Sequence, residues 1–236
     1  RFGSADRIQQ IMRKILLLIL FFGCLKTQAQ QNNPFGLVII NDLQAYKKSI
    51  LIDKNEELIE IKKFIPNLKL DIRYASKNNF AKQAVYKQAK AFARLPVVEA
   101  LRKVQDELKK LGLGLKIFDG YRPYSVTVKF FDIATDKSFV ANPKDGSRHN
   151  RGCAIDLTLI NIRTGKELEM PTPYDSFAPE AAADFKDLLP SVIQNRELLR
   201  SNMEKNGFKV LNNEWWHFDF NGWKSFEIMD IPLEKL

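Results

Sequence analysis

Ser147-Arg148-His149-Asn150-Arg151-Gly152-Cys153-Ala154-Ile155-Asp156 carries a polar loop into an apolar run that continues to Ile160. From Ala154 to Ile160 only Asp156 and Thr158 are polar, the composition of a buried strand. Alternation puts Ala154, Asp156 and Thr158 on one face of that strand and Cys153, Ile155 and Leu157 on the other. The chain has two histidines in 236 residues; one is His149, and the other closes Glu214-Trp215-Trp216-His217. Imidazole is the commonest metal ligand. H-x6-D followed by E-x-x-H therefore reads as a metal site.

The flanking sequence frames this strand. Leu58 to Ile65 and Leu68 to Tyr74 are predicted as strands. Val97, Leu101, Val104, Leu108 and Leu111 recur at steps of three and four, predicting a helix over 96–111 that Gly112 ends. Leu113 to Phe118 is a short strand delivering Asp119-Gly120-Tyr121-Arg122-Pro123 into a turn, and Ser125 opens a helix through about Ala134. A further helix is predicted from Asn195 to Asn206. Phe208 to Leu211 pairs with Trp215 to Phe220 as a hairpin around Asn212-Asn213. Helices and strands mix without a βαβ rhythm. The fold class is α+β, a single domain with a mainly antiparallel central sheet flanked by helices.

Residues 1–11 are polar, precede Met12, and read as upstream sequence. Residues 12–29 read as a signal peptide: Arg13-Lys14, the apolar run Ile15 to Phe22, then the exit Thr27-Gln28-Ala29. The run is far short of the ~18 residues of a permanent membrane span. The expectation is an exported, periplasmic protein whose domain covers 30–236. Lipidation at Cys24 is the rival, which Phe21-Phe22 disfavours. The segment through Ala29 holds five basic residues and one acid, so beyond it the formal charge falls from +9 to +5. That excess calls for no nucleic-acid partner, because no basic cluster interleaved with aromatics accompanies it. Cys153 is then the single cysteine, so no intramolecular disulfide forms.

Zinc with two imidazoles and a carboxylate keeps a fourth position for water. A separate carboxylate can take that water's proton and pass it to the departing amine, and a fixed guanidinium can stabilise an oxyanion. Glu214 and Arg122 are the candidates. In an ideal strand Glu214 and His217 point to opposite faces, so Glu214 must sit at a bend. The same parity places Trp215 beside the metal and Trp216 away from it. Plainer explanations stand beside these. Arg122 is equally explained as a partner for Asp119 or a helix cap, Asp175 as a loop acid or cap, and both tryptophans and Cys153 as core.

Ser-x-His-x-x-Gly-x-Ala-x-Asp followed by Glu-x-Trp-His resembles the signature of the zinc D,D-peptidases that share a fold with the hedgehog signalling domain. Asp119-Gly120-Tyr121-Arg122-Pro123, Ala154-Ile155-Asp156-Leu157-Thr158-Leu159 and Glu214-Trp215-Trp216-His217 are similar to the D-alanyl-D-alanine dipeptidase branch, from about Leu68 to Phe220. The resemblance implies one zinc ion per chain held by His149, Asp156 and His217, with Glu214 as catalytic base and Arg122 on the scissile carbonyl. Ser147 and Asp175 match substrate-pocket positions, Asp175 meeting the ammonium of a small D-amino-acid dipeptide. Phe139 departs from the family, where tyrosine is frequent; it has no hydroxyl to offer the substrate. Two alternatives remain: a carboxypeptidase trimming peptidoglycan peptides through an open groove, and a zinc-stabilised binding module without turnover. Nothing in the sequence sets the oligomeric state.

Overall fold

The run that begins at Ala154 becomes the middle strand of a five-stranded sheet. The computed structural model describes residues 33–236, so the upstream segment, the signal peptide and Cys24 lie outside the described residues. In chain order the elements are β1 (Ile39–Ile40), α1 (Leu43–Ile52), β2 (Leu58–Glu60), α2 (Ile61–Phe64), β3 (Lys69–Leu70), β4 (Phe92–Arg94), α3 (Leu95–Lys109) and β5 (Leu113–Asp119). There follow α4 (Tyr124–Ile133), β6 (Ala154–Asn161), α5 (Pro190–Lys205), β7 (Phe208–Leu211), β8 (Glu214–Phe220) and β9 (Ile228–Met229). The central sheet has the order β3-β5-β6-β8-β7. Its ladders are antiparallel except β3–β5. That is the α+β, mainly antiparallel architecture expected.

Each core element follows from its spacing. Val97, Leu101, Val104 and Leu108 are fully buried on one face of α3, which packs on β5 and α5. Burying each such side chain stabilises the fold by about 1.5–3 kcal/mol. On β6, Ile155, Leu157 and Leu159 are fully buried, and so are Ala154 and Thr158 on the other face. Both sides of this strand are covered, as its apolar composition requires.

Three predicted boundaries shift. The strand from Leu58 stops at Glu60, where pairing with β4 ends, and the chain turns into α2. Ile61 and Ile65, one helical repeat apart, are thereby both buried. The second predicted strand shrinks to Lys69–Leu70, because β3 is an edge strand and gives way to a 3-10 turn at Arg73–Ala75. That turn buries Tyr74 in the core. The last long helix starts at Pro190, ahead of Asn195; proline suits a first helical turn, where its missing N–H costs nothing.

Two features of the sheet position the site. Asp119, Asp156 and His217 are direct cross-strand neighbours on β5, β6 and β8. Directly opposed residues share a face, so three polar side chains project side by side from neighbouring strands. The second feature is the 3-10 turn His149–Arg151 just before β6, which ends at Gly152 with φ +70°. A β-carbon at Gly152 would lie 2.6 Å from Leu58 Cδ2, so glycine is needed for both the conformation and the space.

Candidate active site

His149, Asp156 and His217 are all buried, and one ligand-competent atom from each lies within 4.8 Å of the others. Nε2 of His149 is 3.1 Å from Nδ1 of His217 and 3.4 Å from Asp156 Oδ1. Nδ1 of His217 is 3.1 Å from the same Oδ1. That oxygen is buried without a well-formed hydrogen bond, whereas Oδ2 accepts from the Tyr174 hydroxyl at 2.9 Å. A buried carboxylate oxygen with no well-formed hydrogen bond, facing two imidazole nitrogens, is a ready ligand atom. It suits a divalent cation, which supplies the missing partner. The outward nitrogens are occupied: His149 Nδ1 meets Gly120 O at 2.8 Å, and His217 Nε2 meets Asp219 Oδ1 at 2.9 Å. Such outer contacts fix tautomer and ring orientation, leaving the inner nitrogens free to ligate. Two imidazoles and one carboxylate form a donor set suited to zinc.

Glu214 opens β8, and its Oε2 stands 3.7 Å from Nδ1 of His217. The register explains the approach. Val210 on β7 pairs with Phe218, yet the next residue, Leu211, pairs with Glu214. One step along β7 is thus matched by four along β8, and the bulge brings Glu214 round to the face of His217. This is the predicted bend. The tryptophans are the reverse of the sequence expectation: Trp216 lines the cavity, and Trp215 is buried with its indole N–H donating to Thr172 Oγ1 at 3.0 Å. The bulge shifts the parity on which that expectation rested. Burial pushes the Glu214 carboxyl up from its ordinary value, although the neighbouring His217 opposes the shift.

Arg122 reaches the cavity from the turn after β5. Its Nε and one terminal nitrogen donate to Asp119 Oδ2 at 3.0 and 2.8 Å. Its guanidinium carbon lies 5.2 Å from the Tyr74 ring centre and 5.0 Å from that of Phe130. Asp119 in turn accepts from the Tyr86 hydroxyl and the Gly120 amide. Pairing with Asp119 and placement at the cavity therefore both hold. Arg122 N donates to His149 O, and Asn150 Nδ2 donates to Arg122 O, which ties the arginine turn to the histidine turn.

Ser147 and Asp175 also line the cavity, which encloses about 260 Å³. Ser147 Oγ accepts from the His149 amide, so it supports the ligand turn as well as facing the space. Asp175 adopts φ 63°, rare for a residue with a side chain. Its Oδ1 accepts from the Tyr74 hydroxyl at 2.9 Å while Oδ2 is buried and unpartnered. Burial, with the charge of Asp156 adding to it, pushes this carboxyl up to about 7. Phe139 stacks on Phe177 with ring centres 4.6 Å apart, and Phe177 packs on Phe80; all three line the same cavity.

A family model described as D-Ala-D-Ala dipeptidase matches residues 54–227. This chain belongs to that family. A D-alanyl-D-alanine dipeptidase of Escherichia coli is 31% identical over 173 residues, spanning 73% of this chain and 89% of the relative. One from Enterococcus faecalis is 32% identical, over 63% of this chain and 83% of its own. One from Enterococcus faecium is 29% identical over 65% and 86%. The family match covers all the candidate residues, from Arg122 to His217. Three polar neighbours escaped the sequence reading. Asp219 lies two residues beyond His217, on the same strand face, so alternation alone pointed to it. Tyr174 and Asn150 carry no such signal, because their roles depend on contacts 18 to 28 residues away in sequence.

Proposed function

We propose that this member of the D-Ala-D-Ala dipeptidase family hydrolyses the D-alanyl-D-alanine dipeptide, with one zinc ion held by His149, Asp156 and His217. The observation that carries the reading is Asp156 Oδ1, buried, orphaned and faced by both imidazoles. Zinc held by these three residues would lower the pKa of a water and polarise a carbonyl. Glu214, beside His217 but outside the ligand set, takes the attacking water's proton and returns it to the leaving amine. Arg122, held rigid by Asp119 and two aromatic faces, presents its remaining N–H groups to the developing oxyanion. Asp175, with a free buried oxygen, offers the counter-charge that a dipeptide's ammonium needs in an enclosed space. Ser147, which also lines the cavity, supplies a further polar contact.

The stacked Phe139 and Phe177 add apolar lining to a cavity of about 260 Å³, a size that supports a small substrate over a peptide stem. Zinc-loaded protein incubated with D-Ala-D-Ala, a D-Ala-terminated pentapeptide and L-Ala-L-Ala should cleave the first alone. Cleavage of the pentapeptide without the dipeptide would assign it to carboxypeptidase work, and no cleavage of any would leave a binding module. The apolar run of Ile15 to Phe22 supports an exported enzyme acting on wall fragments. Among the described residues no helix is long and apolar enough to cross a membrane.

A further inference from the structure

The two ring nitrogens of His217 face different surroundings. Nδ1 points to the convergence with Asp156 and His149. Nε2 lies 2.9 Å from Asp219 Oδ1. An ionised carboxylate only accepts, so in the neutral imidazole Nε2 carries the hydrogen and the Nδ1 lone pair is left facing the site. Asp219 is itself held. Its backbone sits mid-sheet, opposite Ala154 on β6 and Lys209 on β7. Its Oδ2 lies 3.5 Å from Arg148 Nε, and the Arg148 guanidinium sits 4.8 Å over the Trp223 ring. The other imidazole is anchored differently, by a backbone carbonyl.

We infer that Asp219 is a positioning residue of the metal centre, fixing the tautomer and ring plane of His217, with Arg148 holding Asp219 in place. The inference rests on the reading of His217 as a zinc ligand. Its weight comes from geometry: a side chain outside the family's Glu-x-Trp-His pattern makes a short, in-strand contact to the nitrogen that does not ligate. A carboxylate in this place also raises the basicity of the ligating nitrogen.

The test is zinc affinity, independent of turnover. Wild type, Asp219→Asn, Asp219→Ala and His217→Ala are stripped of metal and titrated with zinc against a chromophoric chelator, with circular dichroism reporting the fold. Asp219→Ala should bind zinc about 10–100-fold more weakly, the usual cost of losing an outer partner. Asp219→Asn keeps the shape and an acceptor oxygen without the charge, so it should fall between and guards against a folding defect in the alanine variant. Arg148→Ala should lose less affinity, and should add nothing to Asp219→Ala if it acts through that residue. Affinity within threefold of wild type for both Asp219 variants, with His217→Ala losing zinc, would overturn the inference. Equal affinity in wild type and His217→Ala would instead overturn the ligand assignment on which it rests.

Discussion

Glu214 Oε2 stands 3.7 Å from Nδ1 of His217 although the two residues lie three apart on one strand. Regular alternation would put them on opposite faces of the sheet. They meet because β8 bulges where the hairpin turns, between the pairs Val210–Phe218 and Leu211–Glu214. Under the proposed mechanism, the bulge thus separates two duties within four residues: one side chain for the metal, the other for the proton.

Glu214→Ala should therefore abolish turnover, a loss of at least 10²–10⁴-fold, while retaining about one zinc per chain. His217→Ala should lose both. Metal analysis of the dialysed variants beside their dipeptide hydrolysis rates decides the matter. A metal-free Glu214→Ala would mean that the glutamate is a ligand.

Asp119 should prove as important to the rate as Arg122 itself. Both Arg122 bonds end on Oδ2, while Oδ1 accepts from the Gly120 amide. In Asp119→Asn the single amide oxygen can serve one side only and the NH2 meets a donor on the other, so Arg122 loses its charged, fixed partner. The expected result is a kcat loss approaching the about 10²–10³-fold of Arg122→Ala, with a smaller change in KM. The double variant should be no slower than Arg122→Ala alone, because the aspartate acts through the arginine. Asp119→Ala removes the main partner of a buried charge, leaving only Asp156 Oδ2 at 3.8 Å, and should cost up to about 3–5 kcal/mol of stability, read as a fall in Tm.

The convergence of His149, Asp156 and His217 was legible because chemistry and parity agree there. Asp156 is an acid in an apolar strand, and cross-strand pairing with His217 places both on one face. The bend at Glu214 followed from the same parity, taken with the need for a shared site. The assignment of Trp215 to the cavity failed for that reason too: alternation was carried through a bulge that shifts it, and Trp216 lines the space. Helix α2 was hidden because β-branched Ile61 and Ile65 look like strand residues in a short window. Contacts such as Tyr174 to Asp156 depend on loop paths that no local period encodes.

Gly120 is the junction of three site elements, so Gly120→Ala should be disruptive despite its small size. An added β-carbon would lie 2.6 Å from Phe92 O, a backbone atom that cannot swing aside. The same residue's carbonyl meets His149 Nδ1, and its neighbour's amide donates to Phe92 O. Forcing β4 away from this turn should cost about 1–3 kcal/mol and lower Tm by several degrees. Zinc affinity should fall as well, since the His149 ring loses its anchor. A variant with unchanged Tm and unchanged zinc affinity would show that the turn relaxes freely.

Asp175 should exchange stability for substrate binding. Its folded carboxyl sits at about 7, pushed up by burial and then by Asp156, against an ordinary value of 3.8. The folded state thus holds this proton more tightly than the unfolded chain, so ionising the group costs stability progressively as pH rises between those values. Asp175→Asn removes the cost and keeps an acceptor for the Tyr74 hydroxyl. Metal-free Asp175→Asn should therefore melt several degrees above wild type at pH 8, with the gap closing toward pH 4. In the zinc-loaded enzyme the same change should raise KM for the dipeptide roughly 10–100-fold, the worth of a hydrogen bond to a charged group. A carboxylate kept only for structure would show the opposite pattern at pH 8, with a lower Tm and an unchanged KM.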